Sequence, residues 1–345
     1  MSTNESVGRD VRLGNIPRAT WMARLSSYSR LNTAETALLG VILALIAIMF
    51  IVPSTRETFF SSYNLQSIMR GTAITGILAL ASLMVIVVRG IDLSVGSMLG
   101  LASMSAAILI SFDHFALPIW VSVVAAIGIG AIVGLYHGFL VVKIGINPLI
   151  ATLGSMIILR GIINVLADSQ VVRNLPPEFT RIGQGKVLGL PNIFIALLIS
   201  AVLVDILLRR TRLGRNMFAV GSNEDVARLS GVRTGQVTTL AFVFSAVLAS
   251  IAGLLLTARM TSAVPSVGTG YELQAIAGAV IGGASLMGAR GTALGAMLGA
   301  VLMSIIVNVG VQLDVNAFVM QIVTGALLTL AVVVDQVQRR KQTHD

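Results

Sequence analysis

The sequence has no cysteine, only three histidines, and few charges or aromatic rings. Without thiols there can be no disulfide, thiolate-held zinc, iron–sulfur cluster or cysteine nucleophile, and the redox compartment leaves no mark. His114, His137 and His344 are too dispersed in sequence to suggest a metal site. Asp, Glu, Lys and Arg together make 11% of the 345 residues, under half of the usual share of about 25%. An ordinary soluble domain is thereby excluded. What the chain has instead is 55% hydrophobic residues and 34 glycines. This is the composition of a multi-span helical membrane protein whose helices pack closely.

A formal charge of +9 raises the question of nucleic acid. The basic residues, however, sit in short segments between apolar runs, with no aromatic-interleaved patch, so membrane topology is the better reading and no nucleic-acid partner is expected. A transmembrane helix needs about 20 mostly apolar residues. Ten runs qualify: 37–53, 71–88, 93–112, 117–142, 147–167, 193–208, 237–258, 272–287, 292–312 and 317–334. The runs 193–208 and 272–287 are short enough to be tilted, broken or re-entrant. The expectation is an all-α, polytopic membrane protein of about ten transmembrane helices in contact with membrane lipid. It divides into a basic N-terminal segment, 1–36, a transmembrane domain, 37–334, and a tail, 335–345.

Five arginines between Arg9 and Arg30 precede any apolar core, which argues against a cleaved signal peptide and keeps the N-terminus in the cytoplasm. Alternating from there, the inside segments carry 17 of the 24 basic residues and the outside segments 6, with Arg160 inside a span. That asymmetry follows the positive-inside rule and places both termini in the cytoplasm. Trp21, Leu25 and Tyr28 recur at helical spacing among the arginines, as in an amphipathic helix on the inner surface, although a basic tail gives the same pattern. Glycines four apart, Gly96/Gly100, Gly130/Gly134/Gly138, Gly278/Gly282 and Gly291/Gly295/Gly299, read as helix-packing rows.

No energy source is visible in the chain. Its three lysines, Lys143, Lys186 and Lys341, are followed by Ile, Val and Gln, so there is no phosphate-binding Gly-Lys-Ser/Thr loop. The clear intramembrane acid is Asp205, a thin basis for ion coupling. No nucleophile, paired carboxylates or metal cluster stands at a persuasive spacing, so the chain is not expected to be an enzyme.

The longest inside loop, 209–236, carries the most information. Asn223 is a good N-cap, Glu224 and Asp225 suit the positive end of a first turn, and Gly231 can close a helix in the left-handed conformation. A capped helix of about two turns is predicted there, outside the membrane; it is either a docking element or an inert connector. Asp92 reads as a cap for a helix starting at Leu93 or as a substrate contact beside Ser94 and Gly96, and Asn147-Pro148 reads as the start signal of the fifth span.

The loop from Gly214 through Asn223-Glu224-Asp225-Val226-Ala227-Arg228-Leu229-Ser230-Gly231 resembles the coupling-helix motif of ribose-type monosaccharide ABC transporter permeases. Gly90-Ile91-Asp92-Leu93-Ser94-Val95-Gly96-Ser97, Asn147-Pro148-Leu149-Ile150-Ala151-Thr152-Leu153-Gly154, and Tyr271-Glu272-Leu273-Gln274-Ala275-Ile276-Ala277-Gly278 are similar to further stretches of that family. Two departures stand out: Arg89, where many members have a second Gly, and Ser222, where Gly often precedes the Asn. The resemblance implies a type II importer architecture in the bacterial inner membrane, with the permease working in pairs as homodimer or heterodimer. It also implies a cytoplasmic ABC ATPase that binds ATP and Mg, this chain holding no cofactor, and a periplasmic or extracellular sugar-binding protein. Gly214 and the residues Asn223, Glu224, Asp225, Ala227, Arg228, Leu229, Ser230 and Gly231 would then couple to the ATPase, with Ala227 and Leu229 packing and Glu224, Asp225 and Arg228 making polar contacts. The translocation path would be polar but weakly binding. Its candidates are Arg160, Asn164, Gln274, Asn308, Gln312 and Gln321, with Glu272 near the outer face, and each could instead bridge helices. An ion-coupled secondary sugar transporter is the alternative, and a channel stands further back.

Overall fold

The computed structural model describes residues 33–51 and 53–342; the amphipathic pattern around Trp21, Leu25 and Tyr28 lies outside them. Every predicted apolar run contains a helix. In chain order these are α1 (Thr33–Ile51), α2 (Pro53–Phe59), α3 (Ser62–Val87), α4 (Val95–Ile110), α5 (Ile119–Gly138), α6 (Pro148–Leu166), α7 (Pro177–Gln184), the two-residue strands β1 (Lys186–Val187) and β2 (Leu190–Pro191), α8 (Asn192–Arg210), α9 (Arg212–Ser222), α10 (Glu224–Leu229), α11 (Thr234–Met260), α12 (Tyr271–Ile281), α13 (Ala293–Gln312) and α14 (Ala317–Gln342). A π-helical turn, Phe139–Ile144, prolongs α5. The strands pair antiparallel as a small hairpin.

Six of these helices are long and apolar enough to cross a membrane: α3, α5 with its extension, α6, α8, α11 and α13. Four shorter apolar helices accompany them, Glu35–Ile51, Val95–Ile110, Tyr271–Ile281 and Ala317–Val333. The predicted span 272–287 is corrected most. α12 stops at Ile281, and its 11 residues reach only about 16 Å at ~1.5 Å per residue, half of a bilayer core of about 30 Å. Gly283, Gly288 and Gly291 all take positive φ after it, which ends the helix and folds 282–292 into turns. At the C-terminus, α14 runs on through Gln342, so most of the predicted tail 335–345 is helical.

α3 and α4 form the centre. From Thr72 to Val88 every residue of the α3 region is buried, and α4 is buried over nearly its whole length. Both are apolar on all sides, which suits helices surrounded by other helices. Glycines set the close approaches around them. On α5, a Cβ at Gly130, Gly134 or Gly138 would run into Ala246 and Ser250, Val243, and Thr239 of α11. α12 and α13 interlock the same way, Gly278 against Gly299 and Gly282 against Gly295. Within lipid no hydrophobic force draws helices together, so such backbone contact supplies the attraction. α6 is the opposite of α3: Ile150, Ile157, Ile158, Ile162 and Val165 all face outward.

The two ends differ. At one, the hairpin end, Val172 bridges Ala263, Ser111 donates to the Arg173 carbonyl at 2.7 Å, and Arg70 donates to the Gln184 carbonyl at 3.0 Å. At the other, the loop end, 88–94, α9–α10 and 282–292 gather.

Candidate coupling loop and interior polar site

The α9–α10 segment is built by local capping. Thr211 Oγ1 accepts from Gly214 N at 3.1 Å to start α9, a helix the sequence reading missed although Leu213, Met217 and Val220 already show its period. Asn223 Oδ1 accepts from Val226 N at 3.1 Å to start α10, as predicted. The helix closes with Gly231 N on Arg228 O and Val232 N on Ala227 O, both 3.0 Å. Gly231 sits at φ 83, the left-handed position this closure needs. Arg228 reaches back to Glu224 at 2.7 Å, a pair in the first-to-last-turn orientation that the helix dipole favours.

The exposed face of α10 differs from the expected one. Ala227 is 4% exposed and belongs to the core of this chain, so it cannot pack against a partner. Gly214 is likewise internal, its Cα against the carbonyls of Leu207 and Leu208. Leu229 stands 89% exposed, and Val226, which the sequence reading passed over, stands 57% exposed one turn before it. These two apolar residues are flanked by exposed Glu224, Asp225, Arg228 and Ser230. A cavity of ≈ 510 Å³ opens beside them, lined among others by Leu213, Asn216, Gly231, Arg233 and Gln236.

Arg89 joins this loop to the centre of the molecule. It is residue C′ of α3: its N–H meets Ile86 O at 3.0 Å, and Gly90 N meets Val85 O at 2.9 Å, the two bonds of a left-handed helix closure. Its φ is 65, where glycine is the usual occupant. From there the guanidinium donates to Ser222 O at 2.8 Å and Met287 O at 2.9 Å. Ala289 N adds a bond to Val87 O at 3.0 Å, and Gly221 packs directly on the same carbonyl.

Asp92 is not the cap of a helix at Leu93, since α4 begins at Val95 with Ser94 in the cap position. Its Oδ1 accepts from Ser94 N at 2.9 Å and Ser94 Oγ at 2.6 Å, and its Oδ2 from Ser245 Oγ of α11 at 2.9 Å. The buried carboxylate therefore ties the start of α4 to α11. Thr152, just after the Asn147-Pro148 start of α6, holds the same turn by accepting from Leu93 N and donating to Ile91 O, both 3.1 Å. Asn147 Oδ1 accepts from Leu149 N at 2.9 Å with Pro148 in the first helical turn, as predicted.

The second polar site is interior. Ala263 is still paired at the hairpin end, yet by Gly268 the chain has turned back to lie on the carbonyl of Gly96, in the first turn of α4. Residues 261–270 thus turn partway back into the apolar body, with Ala263 and Gly268 buried and Thr261, Ser266 and Thr269 exposed, and Glu272 stands half-buried in the first turn of α12. Gly96 faces the Glu272 carboxylate, and Gly100, one turn on, faces the Val267 carbonyl and the Arg160 guanidinium. Arg160 Nη1 donates to Val267 O at 2.5 Å. Glu272 Oε1 accepts from Gly270 N at 3.1 Å, while buried Oε2 has no hydrogen-bond partner among the described residues. Arg160 and Glu272 interact electrostatically without a direct ion pair.

The remaining path candidates are spread out. Asn308 exchanges two amide bonds with Asn64, at 2.7 and 3.1 Å, and Gln312 donates to Asn308 at 3.3 Å, so this set bridges α13 to α3 at the hairpin end. Asn164 is exposed on α6, donating to Arg160 O at 2.9 Å; Gln274 is half-buried on α12; Gln321 is exposed on α14. Asp205, the intramembrane acid read from sequence, pairs with Arg209 at 2.8 Å.

A helical body with six helices long and apolar enough to cross a membrane is that of a multi-pass membrane protein. Residues 64–332 match the family described as branched-chain amino acid transport system / permease component. The chain belongs to this family of permeases, and within it to the ribose-type monosaccharide ABC transporter permeases. It is 37% identical over 298 residues to the ribose import permease protein RbsC of Escherichia coli (strain K12), covering 85% of this chain and 92% of that one. The galactose/methyl galactoside import permease protein MglC of the same strain is 33% identical, covering 87% and 94%. The xylose transport system permease protein XylH of Haemophilus influenzae is 31% identical, covering 90% and 99%. These relatives are transport permeases, not enzymes. No solved structure matches the chain.

Proposed function

We propose that this chain is the membrane-spanning subunit of an ATP-driven importer that carries a monosaccharide across the bacterial inner membrane by alternating access. The observation that carries this reading is α10: a doubly capped helix outside the apolar body that presents Val226 and Leu229 to solvent. Solitary apolar side chains held on a rigid, polar-rimmed helix suit a protein partner, and the sequence carries no phosphate-binding Gly-Lys-Ser/Thr loop. ATP and Mg are bound by that partner, a cytoplasmic ABC ATPase. A sugar-binding protein delivers substrate at the hairpin end, and a second permease subunit, identical or related, completes the assembly. The loop end and both termini face the cytoplasm, following the basic-residue asymmetry. The ten apolar helices cross or enter the bilayer, α12 as a half-span below the re-entrant loop. Sugar passes the interior site, where Arg160 and Glu272 lie. The switch asked of the ATPase is modest, since moving an equilibrium from 1:99 to 99:1 takes about 5.5 kcal/mol.

The test is co-purification with the ATPase and binding protein, then ATPase and uptake assays in proteoliposomes across ribose, xylose and galactose. Stimulated hydrolysis with uptake of one of these sugars is expected. The buried carboxylate of Glu272 favours one competing reading, an ion-coupled carrier. That carrier would accumulate sugar in ATPase-free liposomes given a proton or sodium gradient, where the importer would not.

A further inference from the structure

We propose that Arg89 is the positioning residue that transmits movement of α10 to the membrane helices. The inference rests on α10 being the ATPase contact, and it adds the route by which that contact reaches the transport machinery.

The local conformation is the first observation. Arg89 occupies the C′ position of α3 at φ 65, with both closure bonds made. A side chain in the left-handed region costs free energy that glycine does not, and Gly90 stands next in the chain. For the closure alone, arginine is therefore a poor occupant, so its side chain must supply a compensating contact.

The side chain does so with two charge-assisted bonds to different segments. One, at 2.8 Å, goes to the carbonyl of Ser222, the last residue of α9, immediately before Asn223, which caps α10. The other, at 2.9 Å, goes to the carbonyl of Met287 in the turns between α12 and α13. The planar guanidinium fixes both acceptors in one orientation, which a flexible ammonium cannot do. Its own backbone continues α3, the central helix. Three bodies therefore meet on one residue: the docking helix, the central membrane helix, and the α12–α13 pair that carries Glu272. Gly221 lying on Val87 O and Gly288 lying against Gly221 leave no slack at the junction. Displacement of α10 pulls on Ser222, and through Arg89 moves α3 and the α12–α13 turns together.

Arg89→Gly separates this role from a structural one. Glycine relieves the left-handed backbone at C′ but gives up both charge-assisted bonds, so a merely structural residue predicts lower thermal stability with the sugar carried per ATP unchanged. Whatever the change in stability, the strut predicts normal ATPase co-purification, continued ATP hydrolysis, and sugar imported per ATP reduced about tenfold, within the ~5–150-fold range of ordinary coupling energies. Arg89→Lys, which keeps the charge and can reach one carbonyl at a time, is expected to fall between the two. The measurement is made on the full complex in proteoliposomes, with ribose, xylose and galactose as probes. Wild-type sugar per ATP in Arg89→Gly, or loss of ATPase binding in that variant, overturns the strut alone. Failure of the wild-type complex to couple ATP to any of these sugars overturns the importer reading beneath it.

Discussion

Two segments interrupt the apolar pattern, 209–236 and 261–270, and they are made by opposite means. The first stands at the surface and holds itself: Thr211, Asn223 and Gly231 satisfy the ends of α9 and α10 from within the segment. The second is half-buried; its local turns, Val267 N on Val264 O and Thr269 N on Ser266 O, leave its placement to neighbours, the glycine face of α4 under Gly268 and Arg160 of α6 on Val267 O. A locally closed helix can move as a rigid lever without unfolding. A loop that depends on its surroundings changes when they change, which suits a site that must open and close.

The largest effect expected from breaking this contrast is at Gly96. Gly96→Leu puts a side chain where the Glu272 carboxylate and Gly268 carbonyl lie. Overpacking costs about 1–3 kcal/mol, and more where backbone must shift. A lower melting temperature in detergent and little assembled complex should follow; an unaltered melt would show that the re-entrant loop does not rest there. Next comes the docking face. Val226→Asp with Leu229→Asp should weaken ATPase binding by about 2 kcal/mol or more, as for an interface centre, while the permease melts as before because both side chains are exposed. Pull-down at wild-type strength would remove α10 as the contact. Arg160→Gln gives up a charged bond to Val267 O, worth about 1.5–3 kcal/mol, and is expected to lower uptake with ATPase binding intact; unchanged uptake and assembly would exclude it from both path and loop. The smallest effect belongs to Asn223→Ala. Losing one cap costs about 1 kcal/mol, read as faster amide exchange confined to α10, and exchange that spreads into α3 would contradict a locally closed helix.

Much of this was legible beforehand. Apolar run length marked the six helices long enough to cross a membrane and the four shorter apolar ones, and Asn223, Gly231 and Asn147-Pro148 marked boundaries, because capping acts between residues close in sequence. The reading failed where distant segments decide. Ala227 and Leu229 look alike as apolar residues on one helix, and only the packing of α10 on its own chain turns the first inward and the second out. The span 272–287 was counted too long because the glycines of 282–292 end α12 at Ile281, and no local pattern shows that Glu272 faces Gly96 of α4. Asn308 and Gln312 could be read as path or as bridge from sequence; only the fold brings Asn64, more than two hundred positions away, onto the Asn308 amide, with Gln312 bonded to Asn308 in turn.

The sequence by itself determined the class of protein, the apolar helices and the capped helix of loop 209–236, since hydropathy and capping are properties of neighbouring residues. The tertiary structure alone decided that Arg89 spans three segments and that Arg160 and Glu272 share one face of α4. Those pairings come from glycine-permitted close packing, and no periodicity along the chain encodes which glycine meets which backbone.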